Sequence, residues 1–230
     1  VCDEWERHGG GMDVDGIPPV DLDVHALGCD PYRKNILVEI DTMPGYEIDN
    51  AVLDKLRLAF DNAPVRNPIP LGQTEPGPDG IDLIIDASES PIPIPPEVQV
   101  YPPPQALPLT YPSWRRDFFG TQQDRSLPPE RRAAVIAAKK LVFRYGVGIA
   151  SAYVQGSDGQ PGGVLYGRAA RGPSDDFFIS IGLMNSGEDR FNKQAAAIMH
   201  ELGHCLGLRH GGDDDIQAKP NYVSVMNYAL

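Results

Sequence analysis

The apolar residues of this 230-residue chain gather into short blocks, separated by stretches rich in glycine, proline and aspartate. Residues 1–31, with HGGGMDVDGIPPVDLD at their centre, carry neither helical nor strand periodicity and read as loop. NILVEIDTM (35–43) is an apolar, β-branched run of the kind that forms a buried strand. In EIDNAVLDKLRLAF (47–60) the apolar positions are 48, 52, 53, 56, 59 and 60, which is helical spacing, with Asp49 placed as N-cap. IDLIIDA (81–87) predicts a second buried strand. Strand, helix, strand at these distances is a βαβ unit, so the sheet should open with a parallel pair.

Sixteen of the 23 prolines fall between 64 and 129, which argues against regular helix or central strand over most of that stretch. It reads as a long irregular excursion over the surface; a polyproline ligand for another protein is the functional alternative. PERRAAVIAAKKLV (129–142) resumes as a helix with proline just inside its start. FRYGVGIASAYV (143–154), GVLYGRAA (163–170) and DFFISIGL (176–183) predict three further strands, and a last helix runs from about Asn192 to Leu206. The fold class is therefore α/β or α+β.

Composition narrows the function classes. At 41% hydrophobic residues the chain is globular. A net charge of −12 argues against a nucleic-acid or anionic-membrane partner, which would want a basic face, and is compatible with an acidic, exported protein or one that binds calcium. No apolar run approaches the roughly 18 residues of a membrane span. VCDEWERHGG lacks the basic and apolar parts of a secretory signal, so such a signal is absent from this numbering. Of the three cysteines, Cys2 and Cys29 would close a modest loop as a disulfide in an exported protein. Cys205 remains as a buried thiol or the partner of another cysteine.

HELGHCLGLRH (200–210) holds three of the five histidines. On a helix, His200 and His204 leave the same face one turn apart, and two imidazoles so placed can share one ion about 2.0–2.1 Å away. Glu201 is rotated by about 100° from His200, within reach of a water beside the ion, where a general base belongs. Gly207 can end the helix in a left-handed conformation, and the chain can then bring His210 back as third ligand. Three nitrogen ligands leave a coordination position open, the pattern of a catalytic rather than a structural zinc.

HELGHCLGLRH resembles the HExxHxxGxxH signature of the metzincin clan of zinc endopeptidases, closest in motif style to its serralysin-like and matrixin-like members. SVMNY (224–228) resembles the clan's methionine turn. The resemblance implies that Met226 floors the zinc site, and that Tyr228 helps stabilise the tetrahedral intermediate, as in the serralysin and astacin branches. It also implies a twisted, mostly parallel sheet with an antiparallel edge strand, a backing helix and the zinc helix last. GVLYGRAA or a neighbouring segment would be the edge that pairs with extended substrate. Residues 32–230 would then form the catalytic domain, with the proline-rich excursion inserted at about 64–129.

Weaker signals remain. Asp13, Asp15, Asp21 and Asp23 alternate as calcium ligands do in loops, without the complete twelve-residue pattern, so calcium is a candidate second cofactor of the 1–31 segment. The acids of GGDDD (211–215) suit either calcium, a hydrogen bond to an imidazole, or a solvated loop. The expectation is a secreted zinc endopeptidase acting on protein or peptide in extended form. Two rivals stand beside it: a zinc amidase acting on small or cell-wall peptides, and a calcium-dependent binding module with a relic site. An intact Glu201 argues against the last.

Overall fold

A computed structural model describes all residues except 1, 2, 8, 70–73, 75, 95–98, 102–110, 159, 170–174 and 228–230. In chain order its elements are α1 (Asp3–Glu6), β1 (Lys34–Thr42), α2 (Asn50–Asp61), β2 (Ile81–Asp86), β3 (Gln99–Tyr101), α3 (Tyr111–Phe118), α4 (Gln122–Arg125), α5 (Pro129–Val142), β4 (Phe143–Ile149), β5 (Ala152–Gln155), β6 (Pro161–Val164), β7 (Gly167–Ala169), β8 (Asp176–Ser180) and α6 (Arg190–Cys205), with a 3₁₀ turn over Ile181–Met184 between β8 and α6. The fold is mixed α/β. A five-stranded, mostly parallel sheet runs β2-β1-β4-β8-β7, and a three-stranded sheet runs β3-β5-β6. Among the described residues no helix is long and apolar enough to cross a membrane.

The chain divides into two compact units, and β1 and α2 each contribute to both. The first comprises residues 1–39, 54–86 and 118–143. In it β1 pairs parallel with β2, Lys34 opposite Ile81 through Glu39 opposite Asp86, as the strand–helix–strand pattern predicts. Leu37, Val38, Leu56, Leu83, Val135 and Ala138 are buried there because period-2 strands and 3.6-period helices turn their apolar positions inward. Inside this unit Lys139 Nζ meets Glu39 Oε2 at 3.1 Å and Asp124 Oδ2 at 2.7 Å.

The second unit comprises residues 40–53, 87–117 and 144–230. Here β4 pairs parallel with β8, and β7 lies antiparallel on β8 as the last strand of the sheet. Tyr145, Val147, Ile149, Phe177 and Ile179 are fully buried. Helix α6 packs on β7 and β8 with Ile198, Leu202 and Cys205 inward.

Asp49 caps α2, its carboxylate accepting Ala51 N–H at 2.8 Å. Three expectations are corrected. The strand expected over 143–154 breaks at Ala150–Ser151, and its halves, β4 and β5, lie in different sheets. The strand expected over 163–170 likewise divides, and of its parts β6 joins the small sheet while β7 forms the antiparallel edge of the large one. The excursion over 64–129 is not wholly irregular. Its segment 111–125 forms α3 and α4, because Pro112 sits in the first turn of α3, where no intrahelical bond needs its missing N–H. Tyr111 and Trp114 anchor α3 in the core. The N-terminal stretch is loop apart from α1 and an isolated bridge between Met12 and Leu22.

Candidate metal centre

Helix α6 presents His200 and His204 one turn apart and ends in a complete Schellman motif. Leu208 N–H bonds to Gly203 O at 2.9 Å and Gly207 N–H to His204 O at 3.0 Å, with Gly207 at φ +92°. This motif has a direct consequence for the site, since the carbonyl of Leu208 then faces His204 Nδ1 at 2.8 Å. The chain turns on the paired backbone of Arg209 and Gly212 and carries His210 back towards the helix. His204 Nε2 ends 3.1 Å from His200 Nε2 and 3.2 Å from His210 Nε2. Two ligands held about 2.05 Å from one tetrahedral ion stand roughly 3.3 Å apart.

The hydrogen bonds on the far sides of the rings show why this cluster fits a cation. His200 Nδ1 faces Val225 O at 2.8 Å, as His204 Nδ1 faces Leu208 O. A carbonyl can only accept, so each Nδ1 carries the proton, which leaves Nε2 as the atom of each ring free to ligate a cation at the centre. The side-chain amide of Gln217 lies 3.4 Å from His210 Nδ1. Burial lowers the pKa of His200, and the neighbouring His204 and His210 add to this against the Val225 bond. His210 is lowered too, first by burial and then by His204. Both effects favour the neutral, ligating form. Converging nitrogen lone pairs repel one another unless a positive ion lies between them, and imidazole donors in tetrahedral spacing suit Zn²⁺.

Glu201 follows His200 and is buried against the edge strand β7. Burial pushes its carboxyl up to about 8, against the opposing pull of Ala169 N–H and the charge of Arg168. Its Oε2 is buried without a hydrogen-bond partner among the described residues. Such an orphan is costly to keep, and proton-transfer chemistry is one reason to keep it. A dication at the histidines would draw this carboxyl back towards its ionised form.

Met226 is buried beneath α6, where a Cβ on Gly203 would come 2.5 Å from its Sδ. Its neighbour Val225 supplies the carbonyl to His200. The turn that carries Met226 thus meets the helix at the level of the histidines. Tyr228, the expected oxyanion partner, lies outside the described residues. Cys205 points to the opposite side, with Sγ 3.7 Å from Asp176 O.

Of the four acids expected to bind calcium, Asp13, Asp15 and Asp21 bring carboxylate oxygens within 4.8 Å of one another. Asp23 stands apart and accepts Ala26 N–H at 2.9 Å. Asp21 is paired with Arg131 and accepts Val14 N–H at 2.7 Å. Cys29 is a buried thiol, pushed up to about 12 chiefly by burial. Cys2, its expected partner, lies outside the described residues. In the GGDDD loop, Asp214 pairs with Lys219 Nζ at 2.7 Å and Asp215 with Arg209 at 3.5 Å, and the charge of Asp215 also acts on His210.

The sequence reading did not identify Gly167, Ala169, Leu208, Gln217, Lys219, Val225 or Asn227 as parts of the site. Four of them act through backbone atoms or through lack of a side chain, which leave no signature in residue type. No family model matches the chain, nor does any curated protein or any solved structure.

Proposed function

We propose that this chain is a zinc-dependent endopeptidase of the metzincin type, hydrolysing internal peptide bonds of extended protein or peptide substrates. One observation carries the reading: three histidine Nε2 atoms converge, two of them with the Nδ1 proton committed to a carbonyl, beside a buried glutamate that follows the first of them. His200, His204 and His210 would hold the ion. Bound there, Zn²⁺ supplies Lewis acidity, polarising the scissile carbonyl and acidifying a water.

The remaining steps belong to the chain's own groups. The strand β7 is the last of its sheet and offers an edge along which an extended peptide can pair through its backbone. Glu201 takes a proton from the water that attacks the carbonyl carbon. As the C–N bond breaks, the same carboxyl returns that proton to the leaving amine nitrogen, so one water is consumed and one carboxyl and one amine are released. Ala169 N–H and the adjoining backbone of β7 fix the carboxylate during both transfers. Tyr228 would complete the oxyanion site, and export to an extracellular setting is part of the same proposal.

The test is cleavage of an unfolded generic protein by wild type and Glu201→Gln, with zinc counted in each. About one zinc in both, with activity reduced by about 10²–10⁴-fold in the variant, is the expected outcome. Full zinc in the wild type without cleavage of any long substrate would overturn the endopeptidase reading in favour of an amidase.

A further inference from the structure

Between His210 and Met226 the chain makes a loop with no regular secondary structure, yet its hydrogen bonds converge on one residue. Lys219 Nζ donates to Gly211 O at 3.0 Å and pairs with Asp214 Oδ2 at 2.7 Å. Gly211 is the residue directly after His210. The backbone of the same lysine is held from the other end, as Asn227 Nδ2 donates to Lys219 O at 2.8 Å and to Tyr222 O at 2.7 Å. Asn227 is buried and lies two residues after Val225, whose carbonyl faces His200 Nδ1 at 2.8 Å. The side chain of Lys219 therefore ties down the backbone beside the third histidine, and its main chain ties down the segment that orients the first.

The backbone here is held against its own preference. Ala218, immediately before Lys219, has φ +57°, the one non-glycine residue in the left-handed region among those described. A strained residue persists where its surroundings over-determine it. Lys219 and Asn227 supply that over-determination: a charged, three-donor head on one side and a doubly committed amide on the other. Ile216 N–H, bonded to Asp214 Oδ1 at 2.9 Å, fixes the acid that receives the lysine.

We infer that Lys219 and Asn227 are positioning residues for the metal centre, forming a strap that sets the separation of His210 from the carbonyl orienting His200. This rests on the zinc site of the proposed function and extends it to residues that touch neither ion nor substrate. Partners that hold ligands in place are worth about 10- to 100-fold in metal affinity when removed.

The test measures zinc affinity by competition with a chelator in wild type, Lys219→Met, Lys219→Arg and Asn227→Ala. It also records the visible absorption of the Co²⁺-loaded proteins and their urea midpoints. The expected result is a Kd raised about 10- to 100-fold in Lys219→Met and Asn227→Ala, with an altered Co²⁺ spectrum. Lys219→Arg keeps donors for Gly211 O and Asp214 and should recover part of the loss. Should Lys219→Met fail to fold, Asp214→Asn, at a partly exposed side chain, decides by itself, with a several-fold rise in Kd expected. Unchanged Kd and Co²⁺ spectra overturn the strap, even where the urea midpoint falls, because that pattern belongs to a merely structural role. A wild type that holds no zinc would overturn the metal centre itself, whereas tight zinc in every variant overturns the strap alone.

Discussion

A Cβ on Gly167 would come within 2.8 Å of both Cγ and Oε1 of Glu201. The edge strand can lie this close to α6 only because residue 167 has no side chain. Close approach, rather than an unusual φ, is what the glycine provides here. In Gly167→Ala the methyl must displace the carboxylate or the strand. Misplacing a reacting group by about 1 Å costs on the order of 10²-fold. Kinetics on a peptide substrate, with zinc counted in parallel, should therefore show kcat reduced by about that factor at unchanged zinc content. Wild-type kcat in this variant would mean that Glu201 is not held by β7 in the way its packing implies.

Gly207 bears on the proposed metal ligands rather than on Glu201. Its φ of +92° closes the Schellman motif that aims Leu208 O at His204 Nδ1. Ala at that position pays roughly 1–2 kcal/mol for the left-handed conformation or moves out of it. Either response shifts the carbonyl and the return of His210. Gly207→Ala is expected to weaken zinc binding by about 10-fold or more, read by chelator competition, with helix content by circular dichroism close to wild type. Unaltered affinity would show that the motif ends the helix without orienting a ligand.

What could be read in advance follows the reach of each physical signal. The histidines were legible because all three lie within eleven residues, where helix geometry and one glycine determine their meeting. Helix α2 was legible from its apolar period, and α5 from the proline just inside its start. The break between β4 and β5 was not, since an apolar run does not say where a chain leaves one sheet for another; pairing is a long-range property. Helix α3 was hidden by the proline density around it, although its one proline occupies a permitted place. Gly167 and Glu201 are 34 positions apart, and no local rule connects them. Val225 and Leu208 contribute only carbonyls, which every residue possesses.

In the first unit Lys139 is a buried cation between two carboxylates. This buried ammonium faces the buried Glu39 and the partly buried Asp124. Removing one member of a buried ion pair leaves an uncompensated charge and costs about 3–5 kcal/mol, whereas replacing both with neutral groups is often near neutral. Lys139→Met should therefore lose about 3–5 kcal/mol in urea denaturation. Glu39→Gln combined with Lys139→Met should recover part of that loss, because Asp124 is still left without its cation. A double variant no more stable than Lys139→Met would show that a stranded Glu39 carboxylate does not set the cost.

The same three groups give the first unit a pH dependence of definite sign. Burial pushes the Glu39 carboxyl up, outweighing the Lys139 charge and the Gly120 N–H. Burial acts on Asp124 as well, but the hydrogen bond and charge of Lys139, with help from Thr121, hold it below its ordinary value. For Lys139 burial pulls down while Glu39 and Asp124 together raise it further. A carboxyl with a raised folded pKa contributes stability that is complete below its unfolded value near 4.3 and is lost as pH rises through the folded pKa. A depressed one contributes above about 3.9 and loses it as pH falls through the folded pKa. On acidification from neutrality Glu39 thus adds stability first, and Asp124 withdraws it only below about pH 4. The Lys139 contribution is complete below its unfolded value near 10.4 and disappears as pH rises through its higher folded pKa. Urea midpoints across this range, wild type against Glu39→Gln, isolate the first effect. The variant should lack the gain that Glu39 gives as pH falls through its raised folded pKa towards about 4.3, while retaining the loss below about 4. Parallel curves over that interval would mean that Glu39 binds its proton equally well in the folded and unfolded chain.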